Sequence, residues 1–344
     1  MSMQQDPRMI EYQKMMSSVK KLGMIKECFY HDKGQCKGDI KQAHSLQRNG
    51  RLSIIEGEVN GNSSIYTFTS AVATEKTPMA DLKPIGKKEA STFFGFCDEH
   101  DTKLFSPIEN FDFDGSDKHC FLHSYRSYAH SYHRKHEEQK AYDNPETPLV
   151  KMMPEFIVQS MKRGIDLAII DSIKRKAYLD DAIENNKYSS LEYLTFQKKG
   201  LYPFAVSSQM SPKVSYKNRD MNNHINPDIP FSQPIITFLP DNDETFVVLA
   251  AFPDDQNAIM LLDELSELPD LKLEKAITSL IIANCENTFF SPLFWNNLSY
   301  KEKQAFLDEF KINTFNTTYH NKFFHSKFNF FDSRFEANKL GIIK

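Results

Sequence analysis

Across its 344 residues the chain has no uninterrupted apolar run long enough to cross a bilayer, and Met1-Ser2-Met3-Gln4-Gln5-Asp6 contains no apolar leader core. The expectation is a cytoplasmic protein with no membrane partner. Five cysteines, an odd number, do not make a complete disulfide framework, so reduced thiols free to bind metal are expected. The twelve glycines include no phosphate-cradling loop, no dinucleotide fingerprint and no nucleophile elbow. There is no excess of positive charge: a net −4 argues against a wholly electrostatic nucleic-acid binder, though a local basic groove stays open. One tryptophan stands beside 28 phenylalanines and 14 tyrosines, so aromatic cores must be built from the latter two. Internal repeats and low-complexity stretches are absent. The length suffices for one large domain or two.

What is present centres on Phe96-Cys97-Asp98-Glu99-His100-Asp101. Cys97 and His100, two residues apart, can offer a thiolate and an imidazole to one tetrahedral metal from a single tight turn. Upstream, Cys28 and Cys36 flank the polar turn His31-Asp32-Lys33-Gly34-Gln35 and complete a set of four zinc ligands. Their spacing is longer than the usual knuckle. His44 and Asp101 are left over beside the set.

In chain order, residues 7–22 carry apolar residues at helical spacing, ending at Gly23. Leu52 to Val59 and Ile65 to Phe68 alternate as two strands around the turn signal Asn60-Gly61-Asn62. Residues 69–92 read as a loop. The run after His100 reads as one helical turn stopped at Pro107. Asp112, Asp114 and Asp117 lack the twelfth-position Glu of a calcium loop. Residues 118–142 form a helix, and Asp143 to Pro148 reads as a linker. Residues 152–187 hold the longest helical pattern, with Ile157, Met161, Ile165, Ile169 and Ile173 recurring every four residues. Beyond Leu201 the runs 203–206, 234–239 and 245–252 are β-rich, the last two joined by a turn at 241–244. Helical patterns return over 256–310, and an aromatic tail runs from Phe323 to Phe335. His224 is isolated in a polar loop, and Cys285 is expected to be buried and inert.

A ligand pair before a strand, a His at that strand's end and a second pair opening a helix resembles a treble-clef zinc finger, the HNH endonuclease version in particular. The resemblance covers residues 24–106. It implies that His44 acts as general base and Asp101 as a ligand of a catalytic Mg²⁺ or Mn²⁺, while Cys28, Cys36, Cys97 and His100 hold structural Zn²⁺. A neutral imidazole can take a proton from water near pH 7, and a hard carboxylate suits those ions. His100 stands where that family has Cys, and Ala43 where an acidic residue commonly precedes the base.

The His-rich helix offers a second constellation. Arg126 and His133 resemble the Arg-x(4–6)-His pair of HEPN-type ribonucleases; with His130 and Arg134 they also suit phosphate binding without chemistry.

The expected fold is α+β: a zinc-binding, treble-clef-like module with its helical extension (residues 1–143), a long helical connector (144–200) and an antiparallel sheet packed with helices (201–344). Two functions are expected as alternatives. One is a metal-dependent HNH-like nuclease acting on DNA or RNA. The other is a non-catalytic zinc module that binds nucleic acid or a protein, or self-associates through its C-terminal half. Pairing such a module with a second domain fits microbial or antiviral defence by analogy of architecture alone.

Overall fold

A computed structural model describes residues 7–47, 50–68, 72–73, 78–79, 82–222, 226, 228–315 and 326–341. His224 and the start of the aromatic tail, Phe323 and Phe324, lie outside the described residues, as does most of 69–81.

The first helix, α1 (Pro7–Gly23), opens on a proline, whose missing N–H is not needed in a first turn. A 3₁₀ turn (Lys33–Gln35) and β1 (Ile40–His44) follow, then α2 (Arg51–Ile54). β2 (Gly57–Val59) and β3 (Asn62–Phe68) pair around Asn60 and Gly61, whose φ values of 52° and 77° suit a tight hairpin. The expected hairpin is therefore shorter than the pattern suggested: Leu52 sits in a helical turn, because it and Ile55 are drawn into a core with Leu239 and Val248.

β4 (Val72–Ala73) pairs with β5 (Pro78–Met79), and β6 (Leu82–Ile85) is a strand on β3 where a loop was expected. β7 (Thr92–Cys97) pairs antiparallel with β1 and runs directly into α3 (Asp98–Asn110). Pro107 does not stop α3. Lying near the helix end, it withholds an N–H from only one carbonyl, and the buried Ile108 continues the packing face.

α4 (Asp117–Asp143) is capped by Ser116, whose side chain accepts from the His119 amide. α5 (Pro148–Met152) and α6 (Glu155–Glu184) come next. The C-terminal part contains β8 (Glu192–Lys199), β9 (Phe204–Gln209), β10 (Ile235–Asp241) and β11 (Glu244–Ala251). It continues through α7 (Gln256–Ser266), α8 (Asp270–Asn284), β12 (Thr288–Phe290), α9 (Pro292–Asn297) and α10 (Tyr300–Phe315). Among the described residues no helix is long and apolar enough to cross a membrane.

The architecture is α+β around an antiparallel sheet in the order β2-β3-β12-β9-β10-β11-β8, with β6 also on β3. Strands from residues 57–85 and 192–290 thus share one sheet. β10 and β11 are buried on both faces, which is why their sequences read as continuous apolar runs. Ile236, Phe238, Val247 and Leu249 face α7, α8 and the aromatic tail, where Phe330 stacks on Phe204 at 3.9 Å. The alternate residues Leu239, Phe246 and Val248 face the other way, toward α2 and α4.

α4 is the spine of that second layer. Phe121, Leu122, Tyr125, Tyr128 and Ala129 are buried, and Ser127 Oγ reaches Ser207 Oγ at 2.7 Å and Thr237 Oγ1 at 3.1 Å on the sheet. α6 lies on α4, its Ser172 carbonyl accepting from the Tyr128 hydroxyl at 2.6 Å. At Gly23, a Cβ would meet the Glu137 carbonyl oxygen at 2.4 Å, so only glycine lets α1 end this close to α4.

Candidate metal centre

The centre is assembled from a strap, a helix and the antiparallel β1–β7 pair, a hairpin split by the insertion of residues 45–91. In the strap, the Glu27 and Phe29 amides donate to the carbonyls of Phe94 and Gly95 at 3.1 and 2.6 Å, which lays Cys28 against β7. The chain then reverses. Asp32 Oδ1 accepts from the Gly34 amide at 2.9 Å and Asp32 Oδ2 from Gln35 Nε2 at 2.7 Å, an Asx turn that caps the 3₁₀ segment and swings Cys36 back. This turn absorbs the residues that make the Cys28–Cys36 spacing long. These hydrogen bonds hold the Asp32 carboxyl below its usual range. Gly38, at φ 75°, makes the bend into β1, where a Cβ would crowd Asp98.

Cys97 ends β7 as the N-cap residue of α3, and His100 occupies the first helical turn. The ligand atoms of Cys28, Cys36, Cys97 and His100 all lie within 4.8 Å of one another. His100 Nδ1 stands 3.2 Å from Cys97 Sγ, 3.4 Å from Cys28 Sγ and 3.7 Å from Cys36 Sγ. A tetrahedral ion with ~2.3 Å bonds to sulfur and ~2.0 Å to nitrogen separates S from N by about 3.5 Å. The residues therefore fit a metal ion such as zinc. Tyr30 covers the His100 ring, with centroids 4.0 Å apart, and Cys28, Cys97 and His100 are buried while Cys36 is half-buried.

The electrostatics suit metal capture. Burial and the neighbouring thiol Cys28 push Cys36 up to about 12, and burial raises Cys28 as well. Burial would also raise Cys97, but hydrogen bonds from the His100 and Lys37 amides and from the Cys36 and Cys28 thiols together outweigh it and leave this thiol below its usual value. Burial lowers His100, keeping its imidazole neutral and its nitrogen available to a metal. Three crowded thiols cannot all ionise by themselves; a divalent cation removes that conflict. The other two cysteines stand apart: burial raises Cys120 to about 12 and raises Cys285 strongly.

The remaining singled-out residues are distributed as follows. His44 ends β1 opposite Thr92, whereas Ile40 lies opposite Cys97, so His44 is at the far end of the hairpin from the four ligands. Asp101 follows His100 in α3, its Oδ1 3.3 Å from Arg126 Nη2. Burial raises its pKa, against the pull of Arg126.

Arg126 is fully buried, with Glu109 Oε1 2.6 Å from Nη2 and the Phe105 ring 4.3 Å from its guanidinium carbon. His130 is half-buried against Phe93, and burial pulls it down to about 3. His133 is buried, also beside Phe93, and burial lowers it to about 4. Arg134, about half exposed, pairs with Glu137 at 2.5 Å.

Sequence reasoning overlooked Tyr30 and Asp32 as supports of the centre; Asp32-Lys33-Gly34, an Asx-turn signal, pointed to the latter. It also missed Arg51, whose side chain reaches Asp241 Oδ2 at 3.0 Å and the Ile108 carbonyl at 2.9 Å, pinning the hairpin region to the sheet. No local signal announces that pair. No protein-family model, no curated protein and no solved structure matches this chain.

Proposed function

We propose that Cys28, Cys36, Cys97 and His100 hold one structural zinc ion and that the chain is a non-catalytic, zinc-stabilised interaction protein. The observation carrying this reading is saturation: four protein ligand atoms gather within 4.8 Å, whereas a catalytic zinc keeps one position open. Thiolates also favour zinc over Mg²⁺ or Mn²⁺. The ion would tie the Cys28–Cys36 strap, the β1–β7 hairpin and α3 into one unit standing on α4. A protein partner is favoured over DNA or RNA, because Arg126 and Arg134 are matched by carboxylates of the chain and His130 and His133 are held neutral.

A second reading rests on the order of elements. Ligand strap, β1 ending in His44, β7, then α3 carrying His100 and Asp101 is the succession that an HNH-like nuclease would use. In that case His44 would be the base and Asp101 would help hold Mg²⁺ or Mn²⁺. The wide spacing along the hairpin and the Arg126 pairing of Asp101 weigh against it.

Metal content and cleavage of DNA and RNA, measured on wild type, His44→Ala and Asp101→Ala, separate the two. The proposal expects zinc at one ion per chain in all three proteins and no cleavage with Mg²⁺ or Mn²⁺. Cleavage that disappears in His44→Ala would replace it with the nuclease reading. Wild-type protein purified without zinc, and not taking it up, would remove both.

A further inference from the structure

We propose that the outer face of α6 is a self-association surface, on which a second copy of this chain docks its own α6 antiparallel. The inner face of the helix is consumed by the fold: Val158, Ile165, Ile169 and Leu179 are buried. The outer face carries large apolar side chains in water. Phe156 is 75% exposed, Ile170 52% and Ile173 50%, and Leu167 beside them is half-buried. At 100° per residue, Phe156, Leu167 and Ile170 fall along one side of the helix with Ile173 on its flank. Exposed Gln159 and Arg163 separate Phe156 from the patch of Leu167, Ile170 and Ile173, and this central patch, on a helix already packed on its other side, marks an interaction site.

The occupant follows from the pattern of charge on that stripe. Ile170 lies at the middle of Glu155–Glu184, so a two-fold axis through it overlaps the helices over nearly their whole length, ~45 Å. In this register Ile170 meets its own copy and Leu167 meets Ile173. Asp166 then faces Lys174, and the symmetry makes that pair twice. Both residues are exposed, one on either side of Ile170 along the helix, and Asp166 Oδ1 accepts from Gln139 Nε2 of α4 at 2.8 Å, which holds its carboxylate beside the patch. Around Ile170 the face is thus complementary to itself in apolar contact and in charge, with the charged pairs fixing the register, while Phe156 lies opposite Glu184 at the ends. A parallel arrangement would set Asp166 against Asp166 and Lys174 against Lys174. This names a partner for the interaction reading above and rests on that reading only to this extent.

Sedimentation velocity on the full chain over a wide concentration series tests the proposal, with zinc content and far-UV circular dichroism recorded on the same samples. The wild type should dimerise. Ile170→Asp should be monomeric with zinc and secondary structure retained. Asp166→Lys alone and Lys174→Asp alone should each weaken the dimer about tenfold or more, by placing like charges opposite one another twice. The double variant Asp166→Lys/Lys174→Asp should restore it. A chain that stays monomeric overturns the proposal, even if it captures some other protein. So does a dimer indifferent to these substitutions, or one that the double variant fails to restore. Because zinc is measured separately, failure here and failure of the structural-zinc reading give different results.

Discussion

Asp101 Oδ1 lies 3.3 Å from Arg126 Nη2, so the residue beside the last member of the candidate metal centre is tied to the spine helix of the molecule. Arg126 holds Glu109 from the same α3 as well, and the Phe105 ring packs under its guanidinium between the two carboxylates. A single buried cation therefore clamps both ends of α3 onto α4. The pairing supplies a structural role for an Asp that the resemblance to HNH nucleases casts as a ligand of a catalytic metal.

Replacing Arg126 by Met should cost about 1.5–3 kcal/mol, because Asp101 and Glu109 lose their charged partner but are each partly open to solvent. Asp101→Asn should cost less, since Glu109 still neutralises the arginine. Equilibrium denaturation in urea gives both values. A loss under about 1 kcal/mol for Arg126→Met would show that the clamp contributes little.

Acid should weaken the fold through His130 and His133. Both have folded-state pKa values below the ordinary 6.5, about 3 and about 4, with burial as the main cause. Above pH 6.5 each is neutral in both states and full stability is present. As pH falls below 6.5 the unfolded chain takes up protons that the folded chain refuses. Stability then drops by up to about 1.4 kcal/mol per pH unit for each histidine. The drop ends near pH 4 for His133 and near pH 3 for His130. Loss of any metal held by the thiols would add to the decline, so the comparison is between wild type and His130→Gln/His133→Gln at matched pH. The variant should show the shallower slope between pH 6.5 and 4.

Phe330→Ala should destabilise the protein by about 3–5 kcal/mol, the cost of emptying an aromatic site that cannot collapse. Phe330 is fully buried between Phe204 and Phe294, so the C-terminal tail belongs to the core of the sheet. Thermal unfolding of the variant measures this. An unchanged midpoint would mean that the tail is dispensable.

Much of the architecture was legible because it is written in local chemistry. The helices over 7–23 and 155–184 follow from periodic apolar residues, and the β10–β11 hairpin from two β-rich runs around a polar turn, with Asn242 at φ 50°. The α4 helix was legible as a helix, but its environment was not. His119, His123 and His133 look solvated in a list of polar letters, yet all three are buried. The His119 ring packs on Phe113, just before the helix, while those of His123 and His133 pack on Phe246 and Phe93 from distant segments. The strand β12 has only three residues, too few for any periodic signal, and yet it joins β3 to β9.

The sequence by itself determined the chemistry of the candidate metal centre: three thiols and one imidazole, two of them on a turn of fixed reach, are side chains that can ligate a metal. Tertiary structure decided whether they meet. Cys28 and His100 are 72 residues apart, and only the pairing of strap and β7 brings Sγ to 3.4 Å from Nδ1. It also decided which charges remain free. Arg51 finds Asp241 190 residues away, and Arg126 finds two carboxylates on a neighbouring helix. Ligand identity is a property of side chains, readable one letter at a time. Proximity and burial are properties of the packed whole, set by which apolar faces cover one another.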